Sequence, residues 1–384
     1  MKKIALVILA TGMAFTSCKK KGCTDQAASN YNSEAKKDDG TCVYDDPELE
    51  IPSTYAFKDA DGNNTVSYGG QTDRLNQLEE MTTYMKSGTG AEISADVLKD
   101  MFANTDDNGA GNFSFSSSKQ LKNKCFETDV DMFEGWMEDL ALASADFATT
   151  AESGQAGTLT TGEKTYLVGP TGIEYTQLIE KGLMGAVFFY QASQKYFGSE
   201  KMDVDNTTPE DPAEGKYYTQ MEHHWDEAFG YFGVSVDFPA NTDDIRFWGK
   251  YCNKQDAALG CNATIMDAFI KGRAVISQGF DLSIRDEQIT IIRKECERFC
   301  ASQAVTYLEG AKDNFGTDNA KFLHELSEAY AFILSLKYAP LETRVINYSE
   351  ITALLNDTIG TDFWAVTTAD LTSAINTINS IYGF

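Results

Sequence analysis

Residues 177–197, QLIEKGLMGAVFFYQASQKYF, are apolar on nearly every helical face. Only a helix covered on all sides tolerates that pattern, so this segment predicts a buried central helix. Gly182 and Gly185 lie within it, where the missing Cβ lets a neighbouring element approach closely. Other segments repeat apolar residues every three or four positions, at 72–86, 94–102, 129–147, 217–232, 263–278, 286–309, 319–338, 349–357 and 368–382. Thr72 and Ser94 are candidate N-caps, and Thr367 with Asp370 has the spacing of a capping box. The second helix would bury Val97, Leu98, Met101 and Phe102. Alternation with period two is scarce: Phe57-Lys58 and Thr65 to Tyr68, around Asp61-Gly62-Asn63, predict one small hairpin. The expectation is an all-α domain over residues 47–384, built as two packed helical bundles.

The N-terminus reads differently. Lys2 and Lys3 precede an apolar run from Ile4 to Met13, too short to span a bilayer but suited to a signal peptide. Phe15-Thr16-Ser17-Cys18 then resembles a lipobox, which predicts a leader over 1–17 and a lipidated, palmitate-bearing Cys18. Residues 18–46 carry the lipid anchor and a small polar loop bracketed by Cys23 and Cys42, with Asp38-Asp39-Gly40 as a turn signal. Asp25, Asn30, Asp38 and Asp39 have side chains suited to calcium, but a plain structural loop is the favoured reading. Such a chain would be held at the cell envelope by lipid, on the periplasmic face or the cell surface.

Charge limits the partners. With 32 basic and 58 acidic side chains the net charge is −26. That field repels phosphate backbones, so no nucleic-acid partner is expected. Export permits disulfides among the eight cysteines, and the natural local pairs are Cys23–Cys42 and Cys252–Cys261. Of the others, Cys125 is the better partner for Cys296 or Cys300, since those two are only four apart on one helix.

Chemistry concentrates on three histidines. His224 and Glu227 are spaced i, i+3. His223 with Glu227 and His324 with Glu328 are spaced i, i+4, so each pair projects from one helical face. Helical bundles build carboxylate–histidine metal sites this way, and the donor set suits iron, zinc or manganese. The candidate ligands are His224, Glu227, Glu222, His223 and His324; the competing reading is that they are surface or structural residues. His324-Glu325 opens like a zincin HExxH, but Glu328 occupies the place of the second histidine. No GxSxG, phosphate-binding loop or dinucleotide fingerprint is present, so an enzyme is disfavoured.

The blocks GGQTDRLNQLEEM, KGLMGA, MEHHWDEAFGYF and HELSEAYAFILSLKYAP occur in order between Tyr55 and Tyr338. Together they resemble an uncharacterised domain-of-unknown-function family of Bacteroidota-type lipoproteins. The stretch from Gly22 to Tyr44 resembles a disulfide-looped module recurrent in exported proteins of the same group. His224-Trp225-Asp226-Glu227 is similar, more weakly, to the HxxE of the GxHxxE motif in imelysin-like proteins, with Glu222 in place of the glycine. These resemblances imply an envelope role linked to iron and periplasmic or outer-membrane protein partners. The expected function is a lipid-anchored protein that binds a ligand or metal, in iron acquisition. The alternatives are an envelope scaffold and, least favoured, a metallopeptidase-like protein.

Overall fold

The computed structural model describes residues 19–43, 48–105 and 111–384. The leader, Cys18 and the expected boundary at residue 46 lie outside the described residues. The chain divides after Glu50 into two units.

The first unit is the polar loop, closed by a Cys23–Cys42 disulfide as expected. Its carboxylate and amide side chains bond the backbone of the loop. Asp25 Oδ1 accepts from Ala27 N, Asp39 Oδ1 accepts from Thr41 N, and Asn30 binds Thr41 O and Val43 N. The two aspartate contacts are Asx turns and the Asn30 contacts tie the two ends of the loop, which together fix a segment that has little apolar surface to bury.

The second unit is all-α, with two short hairpins. It opens with α1 (Gly69–Ser87), α2 (Ala95–Ala103) and α3 (Val130–Ser144). Ser94 caps α2 by accepting from Val97 N, as the sequence indicates, but Thr72 lies inside α1 rather than at its start. Val97 is 41% exposed, so the apolar face of α2 is narrower than expected. The expected turn at Asp61-Gly62-Asn63 forms with a single bridge, Lys58 to Asn64. The antiparallel pair β1 (Gly157–Thr161) and β2 (Lys164–Val168) is new; its Thr-rich strands give no helical signal and little alternation.

The buried helix begins as α4 (Tyr175–Leu183) and then widens into π-helical turns over Met184–Phe189 and Gln191–Tyr196. Both glycines act as the sequence suggests. A Cβ on Gly182 would meet the Phe133 ring at 2.6 Å, and one on Gly185 would overlap Ser335. A short α5 (Ser199–Met202) and the pair β3 (Pro209–Asp211) and β4 (Lys216–Thr219) lead into α6 (Gln220–Gly230).

α7 (Phe247–Leu259), which the periodicity does not announce, precedes α8 (Cys261–Gln278) and α9 (Leu282–Asn314). At 33 residues α9 is roughly 50 Å long. It packs along α8 and along α10 (Asn319–Ser335), all within one compact unit. α11 (Tyr348–Thr352) and α12 (Thr368–Tyr382) complete the fold; Thr367 and Asp370 form the expected capping box. No described helix is long and apolar enough to cross a membrane.

The core is aromatic around Trp225, which is fully buried and donates Nε1–H to Phe269 O at 3.1 Å. Gly272 of α8 lies under the indole, where any side chain would overlap it. Two cysteine expectations need correction. Cys252 and Cys261 face each other as free thiols with sulfurs 3.3 Å apart, well beyond the ~2.05 Å of a disulfide. Cys261 Sγ instead donates to Cys252 O at 3.3 Å. Cys125, Cys296 and Cys300 are also free; Cys296 and Cys300 both lie on α9, where Cys300 Sγ donates to Phe332 O at 3.5 Å.

Candidate functional site

α6 carries most of the predicted site residues, and the helix sorts them onto two faces. Glu222 completes a capping box: Thr219 Oγ1 accepts from Glu222 N, and Glu222 Oε2 accepts from Thr219 N at 2.9 Å. One turn on, Asp226 shares its face. Both carboxylates meet Arg273 of α8, Glu222 Oε1 at 2.6 Å and Asp226 Oδ1 at 2.9 Å. Asp226 also accepts from Tyr55 OH at 2.7 Å and Ser67 N at 2.9 Å. Glu222 is therefore a structural residue, not a free ligand, because a buried guanidinium 51 residues away claims it.

The adjacent face holds His223, His224 and Glu227. His224 Nδ1 is 3.1 Å from Glu227 Oε2. Gln71 Nε2 and Tyr196 OH each donate to Glu227 Oε1 at 3.0 Å. Burial alone would raise the Glu227 carboxyl, but the His224 hydrogen bond, the nearby His223 and the two other donors hold it down at about 2. An ionised carboxylate only accepts, so His224 Nδ1 carries the proton in this contact. The His224 Nε2 is buried and has no hydrogen-bond partner among the described residues. His223 stacks on Tyr218 and donates Nδ1–H to Ser67 O at 3.0 Å, leaving its Nε2 4.0 Å from Glu227.

His324 belongs to a different network. Its Nδ1 donates to Glu174 Oε2 at 2.7 Å, its Nε2 lies 3.6 Å from Glu328 Oε2, and its ring stacks on Tyr166 at 4.2 Å. Lys181 closes the network between Glu180 at 2.9 Å and Glu328 at 3.6 Å. Burial opposes the charge on His324, but the Glu174 hydrogen bond and the charges of Glu174, Glu328 and Glu325 raise its pKa above 6.5. A ligating imidazole must be neutral, and these carboxylates favour its charged form instead. The zincin-like reading of His324-Glu325 fails on the same geometry. The five expected metal ligands thus do not converge, and among the described residues no group of three or more His, Cys, Asp or Glu side chains is arranged to hold a metal ion.

What the structure does build beside α6 is a cleft of about 350 Å³ that reaches Glu227. Lys124, Lys195, Lys201, Tyr190 and Tyr196 line it. Lys124 Nζ lies 5.6 Å over the Tyr196 ring, and Lys195 Nζ lies 5.3 Å over that of Tyr190. The π-helical stretch supplies the tyrosines and Lys195, α5 supplies Lys201, and a short 3-10 turn (Lys122–Lys124) supplies Lys124. Sequence reasoning found Glu227 but none of the lysines, since nothing local marks a lysine as facing a cleft assembled from separate segments.

A family model for a domain of unknown function (DUF4856) matches residues 52–384, the whole helical unit but for its first residue. No curated protein and no solved structure matches the chain.

Proposed function

We propose, from the premise that this chain belongs to the DUF4856 family, that it is a lipid-anchored binding protein of the cell envelope and that its ligand enters the cleft over Glu227. One observation carries the reading. An ionised carboxylate, fixed by three donors, lies in a cleft of small-molecule size where side chains from several elements converge. Every polar group around Glu227 orients it, and none is paired as nucleophile with base, so the arrangement suits recognition rather than turnover. The envelope setting is supported by the basic, apolar and Cys-terminated start of the chain and by its likeness to Bacteroidota-type lipoproteins. Its partners there would be periplasmic or outer-membrane proteins.

Two experiments test this. Fatty-acid precursor should label the wild type and not Cys18→Ser; equal labelling would remove the anchor. Native mass spectrometry of protein taken from its own envelope should find a co-purifying small molecule that Tyr196→Ala loses. A protein that carries nothing in both forms would instead be the scaffold.

A second reading, a divalent cation such as iron on His224, is favoured by the unpartnered Nε2. Carboxylates orient ligating imidazoles through Nδ1 in the same way, and the HxxE likeness to imelysin-like proteins points in that direction. Metal content after purification without added metal decides it: a stoichiometric metal lost in His224→Ala supports this reading, and none in the wild type ends it.

A further inference from the structure

We infer that the cleft over Glu227 is an anion site that takes a small molecule bearing phosphate or carboxylate groups, gripped by Lys124, Lys195 and Lys201. The inference rests on the binding reading above and adds the sign of the ligand.

The chain has nearly two acidic side chains for each basic one, so a lysine on it readily finds a carboxylate. Other lysines do: Lys122, two residues before Lys124, pairs with Glu134 at 2.5 Å, and Lys337 with Asp129 at 2.6 Å. The three cleft lysines do not. Among the described residues no carboxylate oxygen lies within 4.0 Å of the ammonium of Lys124, Lys195 or Lys201. Lys124 is half-buried, and the charges nearest it are chiefly other cations. Burial and then Arg74 push its pKa down, and Lys201 and Lys119 add to the effect, with Glu227 the single opposing carboxylate. Arg74 is itself 5% exposed and spends its donors on carbonyls, Nε on Gln120 O at 2.8 Å and Nη1 on Gly70 O at 3.1 Å.

Lys124 and Lys201 are half-buried, while Lys195 is exposed and its pKa is held up by the Tyr190 hydroxyl and by the charges of Glu127 and Glu200. A half-buried cation without a paired carboxylate costs folding free energy, and an arriving anion relieves that cost. The two carboxylates in the cleft supply only part of the relief, Glu227 to Lys124 and Glu127 to Lys195, and neither pairs directly with a lysine. Glu227 is occupied by His224, Gln71 and Tyr196, and Glu127 is exposed. Three lysines, with Arg74 behind them, therefore outweigh two carboxylates in a protein that is strongly acidic as a whole. The Tyr190 and Tyr196 rings give the ligand flat apolar walls. Size selects further: the overall charge repels an extended polyanion, but screening beyond roughly 8 Å leaves a small one free to enter.

The test titrates the full mature protein with sodium pyrophosphate and with sodium citrate at low ionic strength, by calorimetry and by melting temperature, with magnesium chloride as the cation control. At least one anion should bind, raise the melting temperature and weaken as salt is added. Lys124→Met should lose binding about tenfold or more while its ligand-free melting temperature stays level or rises, because the repulsion with Arg74 is gone. Lys201→Gln should weaken binding in the same direction, and Lys99→Met, a lysine paired with Glu138 elsewhere, should change nothing. Failure of both anions to bind, or a Lys124→Met protein that melts lower and binds normally, overturns the inference. A neutral or cationic molecule found in the cleft by native mass spectrometry overturns the sign while the binding reading survives. An empty protein that also ignores both anions ends both.

Discussion

Arg273 Nε donates to Asp226 Oδ1 at 2.9 Å, and neither side chain has any exposure to solvent. The same guanidinium reaches Glu222 and the Thr65 carbonyl, so one side chain ties α6, α8 and the segment before α1 together. Removing one member of such a network leaves a bare buried charge. Arg273→Met should lower stability by about 3–5 kcal/mol in urea unfolding. A double change, Arg273→Met with Asp226→Leu, should recover part of that loss, and no recovery would mean the destabilisation comes from packing alone.

Glu227 links acidity to stability. Its carboxyl ionises at about 2 in the fold and at the ordinary 4.5 when unfolded. A depressed pKa contributes stability that is present above the unfolded value and is lost as pH falls through the folded one. Unfolding free energy should therefore decline between pH ~4.5 and ~2, and the decline should be shallower in Glu227→Gln. Parallel curves for the two proteins would show that the hydrogen bonds to Glu227 contribute nothing.

His324 has the opposite sign. Its folded pKa lies above 6.5, so its contribution is complete below that value and is lost as pH rises through the folded pKa. An NMR titration should place the His324 ring above 6.5, and Glu174→Gln should lower it. Melting temperature should sag above neutrality in the wild type and less so in His324→Gln.

Five cysteines, Cys125, Cys252, Cys261, Cys296 and Cys300, are thiols in the fold, and four of them are buried. Burial pushes the Cys125, Cys296 and Cys300 thiols well up, which suppresses the reactive thiolate. Maleimide should label all five readily only after unfolding. Mild diamide treatment should join Cys252 to Cys261 before any other pair, because their sulfurs are already 3.3 Å apart. Peptide mapping that recovers a different first crosslink would contradict this packing.

The helical body was legible because its signals are local. Ser94 and the Thr367–Asp370 box follow from residues within a turn of each other, and Gly182 and Gly185 stand out inside an apolar run although the neighbours they admit, Phe133 and Ser335, are distant in sequence. α7 escaped because Phe247-Trp248-Gly249 begins it without a side-chain cap, and tertiary contacts such as Trp248 Nε1 to Met184 O hold it instead. The candidate metal site misled for a related reason. Spacing shows which side chains share a face, but not that Arg273 takes Glu222 or that Glu174 takes His324. The cleft was illegible altogether, since Lys124 and Glu227 are a hundred residues apart and meet only through the π-helical stretch between them.

That stretch is also where relatives can diverge without losing the fold. Each π-helical turn accommodates an additional residue, so a one-residue deletion inside either turn would restore ordinary helical winding there and leave the residues that follow facing much as before. α4 would keep its seat against α10. A change of one residue in length at this point would then leave the architecture intact.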